Sequence, residues 1–199
     1  MINVTKINSG KPYQEFLKYY DYAKSHNQQS IEAISISSFD KTSNEVESRY
    51  VNLKYIIDDE WVFFSNYNSN KAINFVSHDQ ISALFYWHTI DVQIRIKAKI
   101  KRSPSELSDK HFKSRNQKKN ALAISSYQSK PIKNYNDVLS AYNKVLNEKN
   151  LLSERPDYWG GFSFKPYYFE FWQGHKSRIN KRDAFKLSDG SWHHSSLQP

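Results

Sequence analysis

Within one short stretch, Glu170 to Arg182 (EFWQGHKSRINKR), the chain sets an aromatic pair, a glycine and four cations side by side. Such a run can wrap a flat, phosphorylated ligand. Trp172 offers a ring face and an indole donor, Gly174 lets the backbone turn, and Arg178 and Arg182 bring forked cations suited to phosphate or carboxylate. The same residues also suit an edge hairpin with a basic, solvated face, and composition alone favours that plainer reading. Other routes to chemistry are thin. The chain has no cysteine, which removes disulfides, thiolate metal sites and a cysteine nucleophile together. His193 and His194 are adjacent and cannot converge as helix-spaced metal ligands, so no metal is expected. The sequence offers no triad, zinc spacing or obvious acid pair.

These residues belong to a chain of 199, long enough for one domain with a core of its own. Aromatics make up 16% of it, so that core should be built from large rings rather than small aliphatics. A net charge of +9 makes anionic partners plausible. The lysines, however, are spread along the whole chain, with no zinc-finger or RNP-like motif, which argues against nucleic acid as the main partner. No run approaches the ~20 apolar residues of a membrane span, and the opening MINVTKINSGKPYQEF lacks the apolar stretch of a signal peptide. A cytoplasmic protein is expected.

The elements that must hold the chemistry follow from periodicity. Pro12 to Ser25 reads as an amphipathic helix, and residues 1–30 as a helical extension covering the domain. Ile31 to Phe39, Val46 to Ile57 and Trp61 to Asn66 read as strands of a meander, with Val51, Leu53, Tyr55 and Ile57 on one face and Asp58-Asp59-Glu60 as a turn. Ser69 can cap a short helix to about Ser77, with Ile73 and Val76 as its buried side. The clearest alternation sets Val92, Ile94, Ile96, Ala98 and Ile100 against Gln93, Arg95, Lys97, Lys99 and Lys101: a long antiparallel strand with one wet face. Ser103, Pro104 and Glu106 suggest a capping box opening a helix to about Arg115. A further helix spans about Asn136 to Lys149, and strands at Phe162 to Trp172 and Arg178 to Leu187 close the chain. Six or seven strands with short helices imply one α+β domain, its mostly antiparallel sheet closed into a small barrel. No glycine-rich strand-to-helix turn points to a doubly wound nucleotide fold.

Seven segments in order resemble the pyridoxamine 5'-phosphate oxidase family: SRYVNLK (48–54), VFFSNYNSNKA (62–72), ALFYWHTIDVQIRI (83–96), HFKSR (111–115), YQS (127–129), YWGGF (158–162), and EFWQG with SRINKR (170–182). The resemblance implies a split β-barrel that forms a homodimer and binds FMN in clefts between its subunits. It also implies oxidation of the C4' amine or alcohol of a pyridoxine phosphate to the aldehyde, with oxygen as acceptor and hydrogen peroxide as product. By the same resemblance Arg49, Lys54, Phe64, Ser65, Lys71, Gln93, Gln128, Ser129, Trp172 and Arg182 fall on FMN-binding positions. Lys54, His111, Arg115, Lys119, Arg178 and Asn180 fall on substrate positions, with Arg178 and Asn180 beside the reacting carbon. The residues themselves agree in part. Lys71 would sit in the first turn of the helix opening at Ser69, where free N–H groups and the helix dipole favour a phosphate. Arg49 and Lys54 fall on opposite faces of an ideal strand, so reaching one ligand together requires a bulge, a strand end or a partner subunit.

The chain departs from the family pattern at ligand positions. Asn70 stands where an arginine is usual, His111 replaces a tyrosine, Lys119 a serine, and Asn180 a histidine. Asparagine cannot titrate near neutral pH, so a proton-handling role there is lost. Two alternatives therefore stand beside the oxidase of vitamin B6 phosphates: a related flavin oxidase of the phenazine-biosynthesis type, and a non-catalytic flavin- or pyridoxal-phosphate-binding protein.

Overall fold

The computed structural model describes residues 1–199, the side chain of Lys149 excepted. The long alternating run becomes β7 (Val92–Arg102), whose Val92, Ile94, Ile96, Ala98 and Ile100 are all buried. It pairs antiparallel with β6 (Gln80–Trp87) on one edge and β8 (Trp159–Gln173) on the other. β8 is the spine of the sheet. Opposite β7, its first half pairs with β5 (Glu60–Asn66) and its second half with β9 (Lys181–Ser188), which carries β10 (Ser191–Ser196). The sheet continues from β6 through β2 (Ala33–Asp40) to β3 (Glu45–Asn52), and from β5 through β4 (Tyr55–Asp58) to β1 (Asn3–Ile7). Only β1 and β4 run parallel among the described residues. The result is an α+β split barrel of ten strands rather than the six or seven expected.

Helix α1 (Lys11–Ser25) closes the aromatic core: Phe16 is fully buried against the rings of Trp61, Phe85 and Trp87. Burying a phenylalanine contributes about 1.5–3 kcal/mol, so Phe16 is a main tie between this helix and the barrel. Residues 1–30 are more than a covering helix, since β1 joins the sheet. Four further helices flank it: α2 (Asn70–Ser77), α3 (Ser105–Ser114), α4 (Gln117–Ser125), which periodicity did not reveal, and α5 (Tyr135–Asn147). No helix among the described residues is long and apolar enough to cross a membrane.

Four local expectations are corrected. The run Val46 to Ile57 is two strands, because Leu53 N–H donates to the Glu32 carbonyl at 2.9 Å while Lys54 N–H donates to the Val62 carbonyl at 2.8 Å. The chain thus changes partners between adjacent residues, and the phase slips: Ile56 is fully buried whereas Ile57 is exposed. In α2 the inward face is Lys71, Ala72, Asn74 and Phe75, and Ile73 and Val76 are exposed. Phe75 and Ala72 take the inside, which leaves residues one step round the helix facing out. The capping box does not form; Pro104 takes the cap position and the buried Ser103 hydroxyl has no hydrogen-bond partner. The last expected strand starts at Lys181, not Arg178, whose φ of 64° places it in a turn.

Candidate active site

The break after Leu53 gathers the first half of the site. With the strand interrupted, Arg49 and Lys54 line one cleft of about 1100 Å³, which lies among β3, β5, the start of α2, the end of α3 and α4. Arg49, Lys54, Lys71, Arg115 and Lys119 face it against a single lining acid, Glu47. That acid is taken: its Oε2 accepts from Arg49 Nη2 at 2.6 Å. Arg49 is braced further by donating through Nη1 to the Ser38 hydroxyl at 2.7 Å.

At one end of the cleft Lys71, in the first turn of α2, is only 7% exposed. Its ammonium donates to the hydroxyls of Ser69 at 2.9 Å and Ser65 at 3.2 Å, and has no carboxylate partner among the described residues. Burial, reinforced by the Arg49 charge, pulls its pKa down to about 8. Ser65 Oγ and the Asn66 N–H both donate to Gln128 Oε1 at 3.3 Å, so Gln128 closes the same end, with Ser129 beside it on the cleft wall. A helix N-terminus with a desolvated, uncompensated ammonium is a seat for an anion.

Elsewhere along the cleft the His111 ring stacks on Phe64, and the Trp159 ring runs nearly parallel to both, its centroid 5.4 Å from Phe64 and 6.3 Å from His111. Tyr55 Oη bonds His111 Nδ1 at 2.8 Å. Burial, with the charges of Arg115, Lys54 and Lys119, pushes the imidazole down to about 4, so it is neutral near pH 7. The Arg115 guanidinium lies over the Trp159 ring at 4.7 Å, and its buried Nη1 has no hydrogen-bond partner. The residue lines the basic cleft, and a buried N–H without an acceptor is unsatisfied. Lys54 is drawn down chiefly by burial, with Glu32 the nearest carboxylate at 3.8 Å.

Five of the expected residues lie elsewhere. Gln93, Trp172 and Arg182 stand in one row across β7, β8 and β9, while Arg178 and Asn180 belong to the turn before β9. Arg178 is exposed, and Asn180 Oδ1 accepts the His175 N–H at 3.0 Å. Gly174 is needed for close approach rather than for a special turn: a Cβ there would lie 1.7 Å from Asp91 Oδ2. Trp159, on the cleft wall, and Trp172 lie at opposite ends of β8, on the order of 40 Å apart along the strand at about 3.3 Å per residue. Within one chain the two groups therefore cannot surround one small ligand.

Sequence reasoning did not single out Tyr55, Trp159 or Glu170 as site residues, and Tyr55 figured only as part of a strand face. Trp159 and Glu170 lay inside quoted segments, and the signal for Glu170 was a carboxylate set between Phe169 and Phe171 in a strand of aromatics. No group of three or more His, Asp or Glu side chains that could hold a metal occurs among the described residues.

Comparison with known proteins agrees with this architecture. Residues 24–144 match the family model described as Pyridoxamine 5'-phosphate oxidase, and residues 159–199 that of the Pyridoxine 5'-phosphate oxidase C-terminal dimerisation region. Pyridoxine/pyridoxamine 5'-phosphate oxidase of Herminiimonas arsenicoxydans is 32% identical, with 94% of this chain and 89% of that protein covered. Pyridoxine/pyridoxamine 5'-phosphate oxidase 1 of Hydrogenovibrio crunogenus is 33% identical over 94% of this chain and 88% of its own length. Among solved structures, PhzG from Burkholderia lata 383, in complex with tetrahydrophenazine-1-carboxylic acid, superposes with a TM-score of 0.89 at 20% identity, covering 96% of this chain and 93% of that one. A pyridoxamine 5'-phosphate oxidase-related, FMN-binding protein from Nostoc punctiforme gives 0.77 at 11% identity, covering 96% and 100%. The fold, the order of the matched segments and these relatives agree: the chain belongs to the pyridoxamine 5'-phosphate oxidase family and is an oxidoreductase of that kind.

Proposed function

We propose that this protein is an FMN-dependent oxidase that converts pyridoxamine or pyridoxine 5'-phosphate to pyridoxal 5'-phosphate, with oxygen as acceptor and hydrogen peroxide as product. The observation that carries the reading is a pair of cations that line one cleft with no carboxylate partner among the described residues, the buried Lys71 and the half-buried Arg115. A cofactor phosphate and a substrate phosphate would satisfy one each. The residues fit FMN on that ground: Lys71, Arg49, Ser65, Gln128 and Ser129 would hold its phosphate and tail. When bound, the flavin supplies the two-electron chemistry and its reoxidation by oxygen.

The protein's part is geometry and charge. Arg115 and Lys119 grip the substrate phosphate, remote from the reacting carbon, and neutral His111 adds a hydrogen bond without adding repulsion. Lys54, on the same cleft and in the field of Lys119 and Arg115, would serve both ligands. Arg178 and Asn180 flank the reacting carbon from a turn whose shape Asn180 helps fix. In this reading the molecule is a homodimer: Gln93, Trp172, Arg182, Arg178 and Asn180 come to the cleft from the partner subunit, because β8 holds them too far from the cleft of their own chain. The dimerisation-region match over residues 159–199, which contains four of these five residues, supports that arrangement.

A flavin oxidase acting on a carboxylated tricycle, of the phenazine type, finds support in the PhzG likeness of fold and in Asn180, yet leaves Arg115 and Lys119 without a phosphate. The test is oxygen uptake and peroxide release by the FMN-loaded protein with pyridoxamine 5'-phosphate, against unphosphorylated pyridoxamine. Strong preference for the phosphate ester is expected; equal rates, or failure to retain flavin, defeat the proposal.

A further inference from the structure

Glu170 is a carboxylate with 2% exposure on a strand whose neighbouring positions are aromatic. Both its oxygens are fully used. Oε1 accepts from Arg182 Nε at 3.0 Å and Nη2 at 2.8 Å, and Oε2 accepts from Arg95 Nη1 at 2.8 Å and the Tyr168 hydroxyl at 2.9 Å. Register explains the meeting: Glu170 faces Arg95 directly across the β7 ladder, and Arg182 is paired with Trp172, two residues further along the same face of β8. Removing a carboxylate from water costs several kcal/mol, which ion pairing alone seldom returns; an apolar trio would hold the sheet as well. The arrangement therefore points to orientation rather than to stability.

Resting on the functional reading above, we propose that Glu170 is a positioning residue for the cofactor: it locks the Arg182 guanidinium beside Trp172 and Gln93 so that its remaining N–H groups are presented to the flavin of the partner subunit's cleft. Gln198 carbonyl takes one hydrogen of Arg182 Nη1 at 2.8 Å. One N–H on Nη1 and one on Nη2 then remain to donate to a ligand. Two guanidinium groups share one carboxylate, so the cluster keeps a net positive charge. Arg182 is ordered without being neutralised.

The experiment measures FMN affinity of the full-length dimer by quenching of flavin fluorescence, for wild type, Glu170→Gln, Arg182→Met and the double variant, with the melting temperature of each apoprotein alongside. Glu170→Gln is expected to weaken FMN binding about tenfold when Arg182 is present and less than about twofold when Arg182 is methionine. It should also alter the absorbance bands of the bound flavin in the first case only. Should Glu170→Gln fail to fold, Glu170→Asp, which keeps the charge but withdraws it by one methylene, is read in its place with the same expectations. Equal losses in both backgrounds make the residue merely structural and overturn the proposal. Unchanged affinity in the single variant overturns it too, while leaving the oxidase reading intact. No FMN binding by the wild-type protein removes the oxidase reading and this proposal together.

Discussion

The His111 imidazole lies flat on the Phe64 ring, with centroids 3.8 Å apart and planes 9° from parallel. The stack holds a neutral ring among Arg115, Lys54 and Lys119 and makes folding sensitive to acid. Its pKa falls from 6.5 to about 4 on folding, so between those values the unfolded chain binds the extra proton. Stability present above pH 6.5 is lost as the pH drops toward 4. Denaturant titrations should show wild type losing on the order of 1–2 kcal/mol more than His111→Gln across this window, once screening is allowed for. Parallel pH curves would show that the imidazole is not held neutral.

Lys71 gives a test of the same sign at alkaline pH. Its ammonium is buried without a carboxylate and its pKa is lowered to about 8, so the folded chain releases this proton before the unfolded chain does. Apoprotein stability should rise from about pH 8 to 10.5 in wild type and stay flat in Lys71→Met. The same substitution should leave the apoprotein at least as stable at pH 7 yet weaken FMN binding on the order of 100-fold, through loss of a charge-assisted phosphate contact. Full FMN affinity in Lys71→Met would remove this end of the cleft as the phosphate seat.

Arg115 should separate substrate from cofactor. With a half-buried guanidinium that lines the cleft 4.7 Å over the Trp159 ring, Arg115→Lys cannot reproduce both the forked donor set and the contact with the ring. Steady-state kinetics should show KM for pyridoxamine 5'-phosphate raised on the order of 10- to 100-fold, kcat changed far less, and FMN affinity unaffected. A parallel fall in FMN affinity would place Arg115 at the cofactor instead.

Asn180 secures the turn that carries Arg178. Its Oδ1 is the acceptor for the His175 N–H, so Asn180→Ala should free the turn and lower kcat several-fold at unchanged FMN affinity, the lost bond being worth about 1 kcal/mol. Asn180→His brings a group that titrates near pH 6.5, and the pH profile of kcat should gain an inflection there that wild type lacks. An identical profile would show that position 180 does not touch the reacting centre.

Periodicity revealed most of the barrel. The alternation in β7 gave its buried face residue by residue, and α1 and α5 appeared nearly at their true bounds. It failed where facing depends on a distant partner: Ile73 and Val76 carry apolar side chains at helical spacing, but Ala72 and Phe75 won the contact with the barrel. The short β1 and β10, and α4 with its weak apolar face, had too little local pattern to stand out.

The candidate site divides the same way. Residue types, order and spacing were enough to name the family, and they marked out the cations Arg49, Lys54, Lys71, Arg115 and Lys119 that share one cleft. Which of them meet was decided in three dimensions. The exchange of strand partners between Leu53 and Lys54 brings Arg49 and Lys54 into one cleft, and the length of β8 sends Trp172 and Arg182 far from it. Glu170 acquires its two arginines only through cross-strand register. Side-chain chemistry is local to each residue, whereas strand pairing joins segments distant in sequence, and only the folded sheet fixes which charges share a site.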